Sequence, residues 1–364
     1  MFNKPYVVTI GGNGKTKKIS LGGDNPIAIQ TMWKEPIVGI RKNTSEYTEL
    51  LKKIEQMQML GCDILRFAVP DMESAEVLKN LSDDVTIPLV ADIHFDYKLA
   101  LSCLDGNVAK IRINPGNIGS FERTKAVVEK ARDKGSAIRV GINTGSLPKD
   151  LEKLVEEGKI TRAEGLVKAA EREMENFDKL DFKNFVVSMK ASSVAETIES
   201  NEKFAEKYNV PLHIGVTEAG PVIGGVVKST LAFSHLLKEG VGSTIRVSLS
   251  SESENEVITA KEILRECGLY SGGVKIVSCP RCGRNGFDVH SFINRWQNEL
   301  QSLKKDITVA VMGCVVNGPG EGKNADIGIT GAGNSVIIFK HGVTVRTVTP
   351  ENADSAFREE LNSL

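Results

Sequence analysis

Lys110-Ile111-Arg112-Ile113-Asn114 alternates polar and apolar residues over five positions. Successive side chains of a β-strand point to opposite faces, so Lys110, Arg112 and Asn114 share one face and the two isoleucines turn the other way, toward covering helices. An amphipathic helical run, Phe121 to Lys134, follows. This stretch is therefore one strand–helix unit with a charged inner face.

The same unit recurs on both sides. Strand candidates start near Ala28-Ile29-Gln30, Cys62 to Phe67, Pro88 to Asp92, Val108 to Ile113, Ala137 to Val140, Phe185 to Met189, Leu212 to Val216 and Ser243 to Val247. Helical runs such as Ser45 to Leu60, Thr161 to Asn176, Val194 to Tyr208 and Thr230 to Glu239 lie between them. Eight such units within roughly 240 residues predict an α/β chain whose larger part is a (β/α)8, or TIM, barrel. An open doubly wound sheet ranks lower, because no glycine-rich dinucleotide loop follows the first strand. Gly11-Gly12-Asn13-Gly14-Lys15 and Gly22-Gly23 do not make a phosphate-binding loop and read as a turn before the barrel.

Active sites of such barrels lie where the strands finish. In chain order those ends offer Arg66, Asp92 with His94, Lys110 with Arg112 and Asn114, Arg139 with Asn143, Lys190, Glu218, and Arg246 with Ser248. A single base at a strand end is commonly paired with a carboxylate, and Asp92 or Glu218 could neutralise Lys110 or Lys190. Six bases against two carboxylates leave a surplus, and several cations converging on one mouth suit a diphosphate. Asp92 and Glu218 could also hold a substrate hydroxyl or orient a proton donor. His94 is either that donor or a hydrogen-bonded spacer. His213, His235, His290 and His341 show no ligand spacing and read as structural or surface residues.

The barrel pattern stops near Tyr270, which predicts a barrel over residues 1–268 and a second domain over 269–364. The second domain has strands at Val274 to Ser278, Thr308 to Met312, Ile327 to Thr330, Ser335 to Phe339 and Thr344 to Val348. Helices run from Val289 to Leu303 and from Asp354, which together predict a small α+β layer. Two of its loops carry Cys279-Pro280-Arg281-Cys282-Gly283-Arg284 and Gly313-Cys314-Val315-Val316-Asn317-Gly318-Pro319-Gly320-Glu321. A CxxC pair alone can be a dithiol, half a zinc site or two unrelated buried thiols. A third cysteine in a glycine-rich loop favours a metal centre, and thiolates select zinc, copper(I) or an iron–sulfur cluster. Three thiolates are one too few for an all-cysteine site, and Glu321 is the acidic group best placed to complete it. A cluster with one exchangeable ligand has an iron that a substrate oxygen could reach.

The chain of 364 residues is 41% apolar and 26% charged with a formal net charge of -1, which offers no field for coating nucleic acid. No stretch reads as a membrane span, and Met1 to Asp24 lacks the apolar segment of a signal peptide. Cys62, Cys103 and Cys267 read as buried thiols of a reducing compartment, so the cytoplasm is the expected location.

The two cysteine motifs resemble those of the 4-hydroxy-3-methylbut-2-enyl diphosphate synthase family. The barrel segments agree: Ile64-Leu65-Arg66, Ala91-Asp92-Ile93-His94-Phe95-Asp96, Lys110 to Asn117, Arg139 to Leu147, Ser188-Met189-Lys190-Ala191-Ser192, Gly215 to Gly220 and Thr244 to Leu249. The likeness spans about Ile29 to Thr349, and it departs at Thr31-Met32-Trp33-Lys34-Glu35-Pro36, where small polar residues are usual. The resemblance implies a barrel joined to a ferredoxin-like (sulfite-reductase-like) domain that carries a [4Fe-4S] cluster. It implies a head-to-tail homodimer in which each barrel is closed by the partner's cluster domain. The implied reaction belongs to the non-mevalonate isoprenoid pathway, with electrons from ferredoxin or flavodoxin. It opens 2-C-methyl-D-erythritol 2,4-cyclodiphosphate reductively to (E)-4-hydroxy-3-methylbut-2-enyl diphosphate. By residue, it implies Cys279, Cys282 and Cys314 on iron with Glu321 as fourth ligand and Asn317 near the open iron. Arg66, Arg112, Arg139, Asn143, Lys190, Arg246 and Ser248 would grip the diphosphate, and Glu218 the departing hydroxyl. Asp92, His94, Lys110 and Asn114 would line the same pocket. The rival readings are a radical-generating cluster enzyme, a zinc hydrolase of a phosphorylated substrate, and a cluster-based sensor. The first would carry a CxxxCxxC motif early in the barrel, which this chain lacks.

Overall fold

The computed structural model describes residues 2–114, 118–316 and 318–364, with backbone alone at Pro319 and Glu321. The chain divides into two compact units, Met1–Tyr270 and Ser271–Leu364.

The first unit opens with an antiparallel hairpin of β1 (Val8–Ile10) and β2 (Ile19–Leu21), whose turn holds the Gly11 to Lys15 stretch. Eight parallel strands follow: β3 (Ala28–Met32), β4 (Ile64–Ala68), β5 (Leu89–Ile93), β6 (Lys110–Ile113), β7 (Ala137–Asn143), β8 (Phe185–Lys190), β9 (His213–Ile214) and β10 (Thr244–Ile245). They are paired in the order β8-β7-β6-β5-β4-β3-β10-β9, and a parallel bridge between Val187 and Leu212 closes the ring. The expected barrel is thus present. β9 and β10 are shorter than the strands expected over Leu212 to Val216 and Ser243 to Val247, chiefly at their C-terminal ends, where Gly215-Val216 and Arg246-Val247 leave the ladder.

Alternation decides what faces inward. Leu65, Ala91, Ile111, Ile113, Ile138, Val140, Val187 and Met189 belong to the apolar shell beneath the helices. The opposite face begins with Ala28, Ile64, Val90, Ala137 and Val186, which pack on Val8, Ile10 and Leu21 of the hairpin. One end of the barrel is therefore plugged with hydrocarbon. Two residues further along the same strands stand Gln30, Arg66, Asp92, Arg139 and Ser188. The switch from apolar to polar within one strand leaves only the C-terminal end of the barrel able to bind a charged molecule.

The helices follow local signals. That over Ser45–Leu60 starts at Thr44, whose side chain accepts from the Tyr47 N–H, and stops at Gly61 in the left-handed region at φ 112. The helix expected from Thr230 begins earlier, at Val222 behind Pro221. Gly224 and Gly225 disguised that first turn. At Gly225 a Cβ would lie 2.4 Å from Leu249 Cδ2, so glycine lets the helix approach without moving that leucine.

In the second unit β11 (Val274–Ser278), β12 (Ile307–Met312), β13 (Ile327–Ala332), β14 (Ser335–Lys340) and β15 (Val343–Val348) form one sheet in chain order. β11, β12 and β13 are parallel and the last two pairings antiparallel. Helices Val289–Ser302 and Ala353–Asn362 cover one face. Phe292 and Trp296, four residues apart, stack at 5.5 Å, and Phe357 meets Trp296 edge-on at 5.0 Å. Among the described residues no helix is long and apolar enough to cross a membrane.

Candidate active site

A cavity of about 240 Å³ opens at the C-terminal end of the barrel strands. Arg66, Asp92, His94, Arg112, Arg139, Asn143, Lys190, Arg246 and Ser248, all expected at the site, line it. Met32, Gly141, Ser188 and Thr217 line it too and were not singled out from sequence. Ser188 was legible by alternation, since it stands two residues before Lys190 on one strand face.

Strand register sets the depth of each group. Arg112 pairs in register with Asp92 and Arg139, while Lys110 pairs with Val90 and Ala137, one layer deeper. Lys110 is fully buried, and its Nζ has no hydrogen-bond partner among the described residues. Asn114 is buried at the strand end and donates to Ser146 Oγ at 3.0 Å. Arg112 fits because position 141 is glycine: a Cβ there would lie 2.4 Å from Arg112 Nε.

The pairing differs from that expected. Asp92 does not neutralise a lysine. It takes Arg112 Nη1 at 3.0 Å and Arg66 Nε at 3.6 Å, with His94 Nε2 at 3.7 Å. Glu218 is exposed on the turn after β9 with a left-handed φ of 50, a conformation that costs a non-glycine residue energy and is common at functional sites. The second buried carboxylate of the mouth is Glu256, which no local motif announces. Its Oε1 accepts from the Leu249 N–H and pairs with Lys34 at 3.0 Å; its Oε2 accepts from Thr31 Oγ1 and lies 3.4 Å from Arg246 Nε. Lys34, from the unusual stretch after the first barrel strand, is thus the strap that ties that loop down.

Two carboxylates serve Arg66, Arg112 and Arg246, and Arg139, Lys110 and Lys190 have none within ion-pair distance among the described residues. Burial and the neighbouring arginines hold Lys110, Lys190 and Arg139 well below their usual values, and burial brings Arg66 down to about 10. Burial alone would raise Asp92, yet Arg66, the His94 hydrogen bond, Arg112 and Arg139 outweigh it and keep the carboxyl well below its usual range. Such a site repels itself until an anion arrives. A multiply charged oxyanion would supply acceptors for the orphaned donors and lift the depressed lysines at once.

Glu256→Gln should test the clamp on Arg246. Breaking this buried pair should cost about 3 kcal/mol, at the low end because Lys34 is 33% exposed and partly screened. Burial raises the Glu256 pKa, but Arg246, Thr31, the Leu249 N–H and Lys34 together lower it below 4.5. The stabilisation is therefore present above that value and lost as pH falls through the lowered one. Urea unfolding across acid pH should show that loss in the natural chain and a flatter profile in the variant.

In the second unit, Cys279 follows β11 and Cys314 follows β12, its parallel neighbour, and the Cys279 N–H donates to the Val311 carbonyl at 3.0 Å. The Arg281 N–H points to Cys279 Sγ at 3.4 Å, and a Cβ on Gly313 would lie 3.7 Å from that sulfur. Cys279 is half-buried, Cys282 exposed and Cys314 buried. Among the described residues no three His, Cys, Asp or Glu side chains lie close enough to hold a metal ion. Asn317 lies outside the described residues, as does the Glu321 side chain, whose backbone ends a short helix, Gly318–Glu321. Two soft thiols at adjacent strand ends, Cys279 and Cys314, a third on the loop at Cys282, and a backbone N–H aimed at one sulfur nevertheless suit an iron–sulfur cluster in chemistry.

Comparison with known proteins covers both units. Residues 13–261 match the GcpE TIM-barrel domain, and residues 275–363 match the GcpE protein C-terminal domain. The chain is 56% identical over 386 residues to the 4-hydroxy-3-methylbut-2-en-1-yl diphosphate synthase (flavodoxin) of Treponema denticola, covering 99% of this chain and 98% of that one. It is 56% identical to the protein of the same description from Treponema pallidum, over 98% of this chain and 91% of that one. The corresponding Clostridium tetani protein is 42% identical, over 94% and 96%.

Proposed function

The chain belongs to the GcpE family and is an oxidoreductase of it, and from that premise we propose that it converts 2-C-methyl-D-erythritol 2,4-cyclodiphosphate to (E)-4-hydroxy-3-methylbut-2-enyl diphosphate and water. The observation that carries this reading is the mouth of the barrel, where Lys190 and Arg139 line the cavity without a carboxylate and Lys110, which contrary to expectation does not reach the cavity wall, lies buried one layer beneath them. A cyclic diphosphate presents its anionic oxygens on one side and a carbon skeleton on the other. Arg66, Arg112, Arg139, Lys190 and Arg246 would take the phosphate oxygens, with Asn143 and Ser248 completing the hydrogen bonds. The skeleton would then be left toward the outer rim beside His94, with Glu218, which does not line the cavity, on the turn just after Thr217. His94, next to the ionised Asp92, suits delivery of a proton to the departing hydroxyl, and Glu218 suits holding it. Lys110 and Asn114 would act from below and beside the ligand, the first by charge and the second through the loop at Ser146.

Cys279, Cys282 and Cys314 would hold a [4Fe-4S] cluster, with Glu321 as the fourth ligand and Asn317 beside it. When bound, such a cluster supplies two electrons one at a time. In the proposed assembly a homodimer pairs each barrel with the partner's cluster domain, ferredoxin or flavodoxin is the donor, and the work is done in the cytoplasm as part of the non-mevalonate pathway. Anaerobic assay with the cyclic diphosphate and an artificial one-electron reductant tests the reaction. Product should form only with both present, and its absence from iron-replete protein would overturn the reading. Glu321→Ala should keep its iron, because three thiolates remain, and lose most turnover. Iron content and rate measured on one preparation decide this, and full activity would remove Glu321 from the ligand set.

A further inference from the structure

Lys190 is seated differently from the other cations of the mouth. Its Nζ lies 3.0 Å from His213 Nε2, and His213 Nδ1 lies 2.7 Å from Thr244 Oγ1. His213 and Thr244 are both 0% exposed, and Lys190 is buried. His213 and Gly215 stand two residues apart and so share the inner face of β9 and its continuation. At Gly215 a Cβ would lie 2.7 Å from Lys190 Nζ and 3.0 Å from its Cε. The lysine therefore runs along a slot that only glycine leaves open and ends on a ring nitrogen.

Proton counting fixes what that nitrogen does. An ammonium has three donors and no acceptor. Whenever Lys190 is charged, His213 Nε2 must accept from it, so the ring hydrogen is on Nδ1 and points to Thr244 Oγ1. The ring has to be neutral for this. Its buried position and the charges that act on it (Lys190, Arg139, Lys110 and Arg66, from β8, β7, β6 and β4) all disfavour a second proton. One N–H of Lys190 is thereby spent on the ring and two remain.

We infer that His213 is a positioning residue that anchors Lys190 through Nε2 and aims its two remaining ammonium hydrogens at the oxygens of the bound diphosphate. The inference rests on the diphosphate reading of the mouth and assigns a role to a histidine that spacing alone left as structural.

The test is a cycle of His213→Phe, Lys190→Met and the double variant, titrated with 2-C-methyl-D-erythritol 2,4-cyclodiphosphate and, separately, with inorganic pyrophosphate. Each single change should weaken binding about tenfold or more, the scale of a hydrogen bond to a charged group. The double variant should bind no worse than Lys190→Met. His213→Gln, whose amide oxygen can accept from the ammonium, should recover most of the loss. His213→Leu, which also removes the acceptor, carries the comparison if His213→Phe does not fold. Unchanged affinity in the folded single variants, or a loss that adds in full to that of Lys190→Met, would overturn the inference while natural-chain binding stands. A natural chain that binds neither ligand would overturn the diphosphate reading and this inference with it.

Discussion

Replacing Arg139 by methionine should make the substrate-free chain more stable and at the same time nearly unable to hold a diphosphate. The side chain is fully enclosed, and its Nε and Nη1 have no partner among the described residues. Burial, then Arg66 and Arg112, lower its pKa well below 12.5, and the attraction of Asp92 does not make this good. Below the lowered value the charged form is present and its penalty is complete, and the variant's advantage fades as pH rises through that value. A flexible apolar side chain of similar reach removes the penalty, a gain of about 1–4 kcal/mol by the measure of other buried charges replaced by hydrocarbon. For a unit of this size that should raise the melting temperature by several degrees, on the order of 2–4 °C per kcal/mol. Affinity for the cyclic diphosphate should fall about a hundredfold, the loss of one bidentate charged contact. Calorimetry and titration on the same sample check both. A destabilised variant with normal affinity would mean that Arg139 is structural.

Cys282→Ser should do the reverse: leave stability unaltered and remove turnover. Cys282 is exposed, so its packing contribution is small. A serine hydroxyl is a hard ligand that stays protonated near neutrality, a poor replacement for thiolate on iron. Loss of groups that merely support metal ligands costs about 10–100-fold in affinity or activity, and loss of a ligand should cost at least the upper figure. Iron and sulfide in anaerobically purified protein should drop together with the rate. Full iron with full turnover would place the cluster elsewhere.

Much of this was legible in the chain because it is carried by short-range patterns. Alternation in Lys110 to Asn114 foretold both the buried isoleucines and the inward charges, and the same rule sorted Arg66, Asp92 and Arg139 onto the inner face. Strand ends delivered the thiols, as Cys279 and Cys314 leave neighbouring parallel strands. What local pattern does not carry is partnership across the ring. Glu256 is 225 residues from Thr31 and 10 from Arg246, and nothing near it marks it as the second buried carboxylate of the mouth. Lys34 was seen only as a departure from expectation, yet its ammonium binds Glu256 and the Leu249 carbonyl together. His213 is silent in sequence for the same reason, since its meaning depends on Lys190 lying one strand away.

The surplus of buried positive charge is the centre of the account, and proton uptake measures it most directly. The cyclic diphosphate carries fixed charge near neutrality, so protons taken up on binding come to the protein. Lys110 and Lys190 are lowered from 10.5 by burial first and then by neighbouring cations, and an anion that reverses this should draw protons in. Calorimetric titration of the natural chain with the cyclic diphosphate, over a series of pH values and in two buffers of different ionisation enthalpy, follows it. The prediction is that protons are taken up on binding and affinity falls as pH rises through the lowered range of these lysines. Tight binding with no proton exchanged at any pH would contradict it.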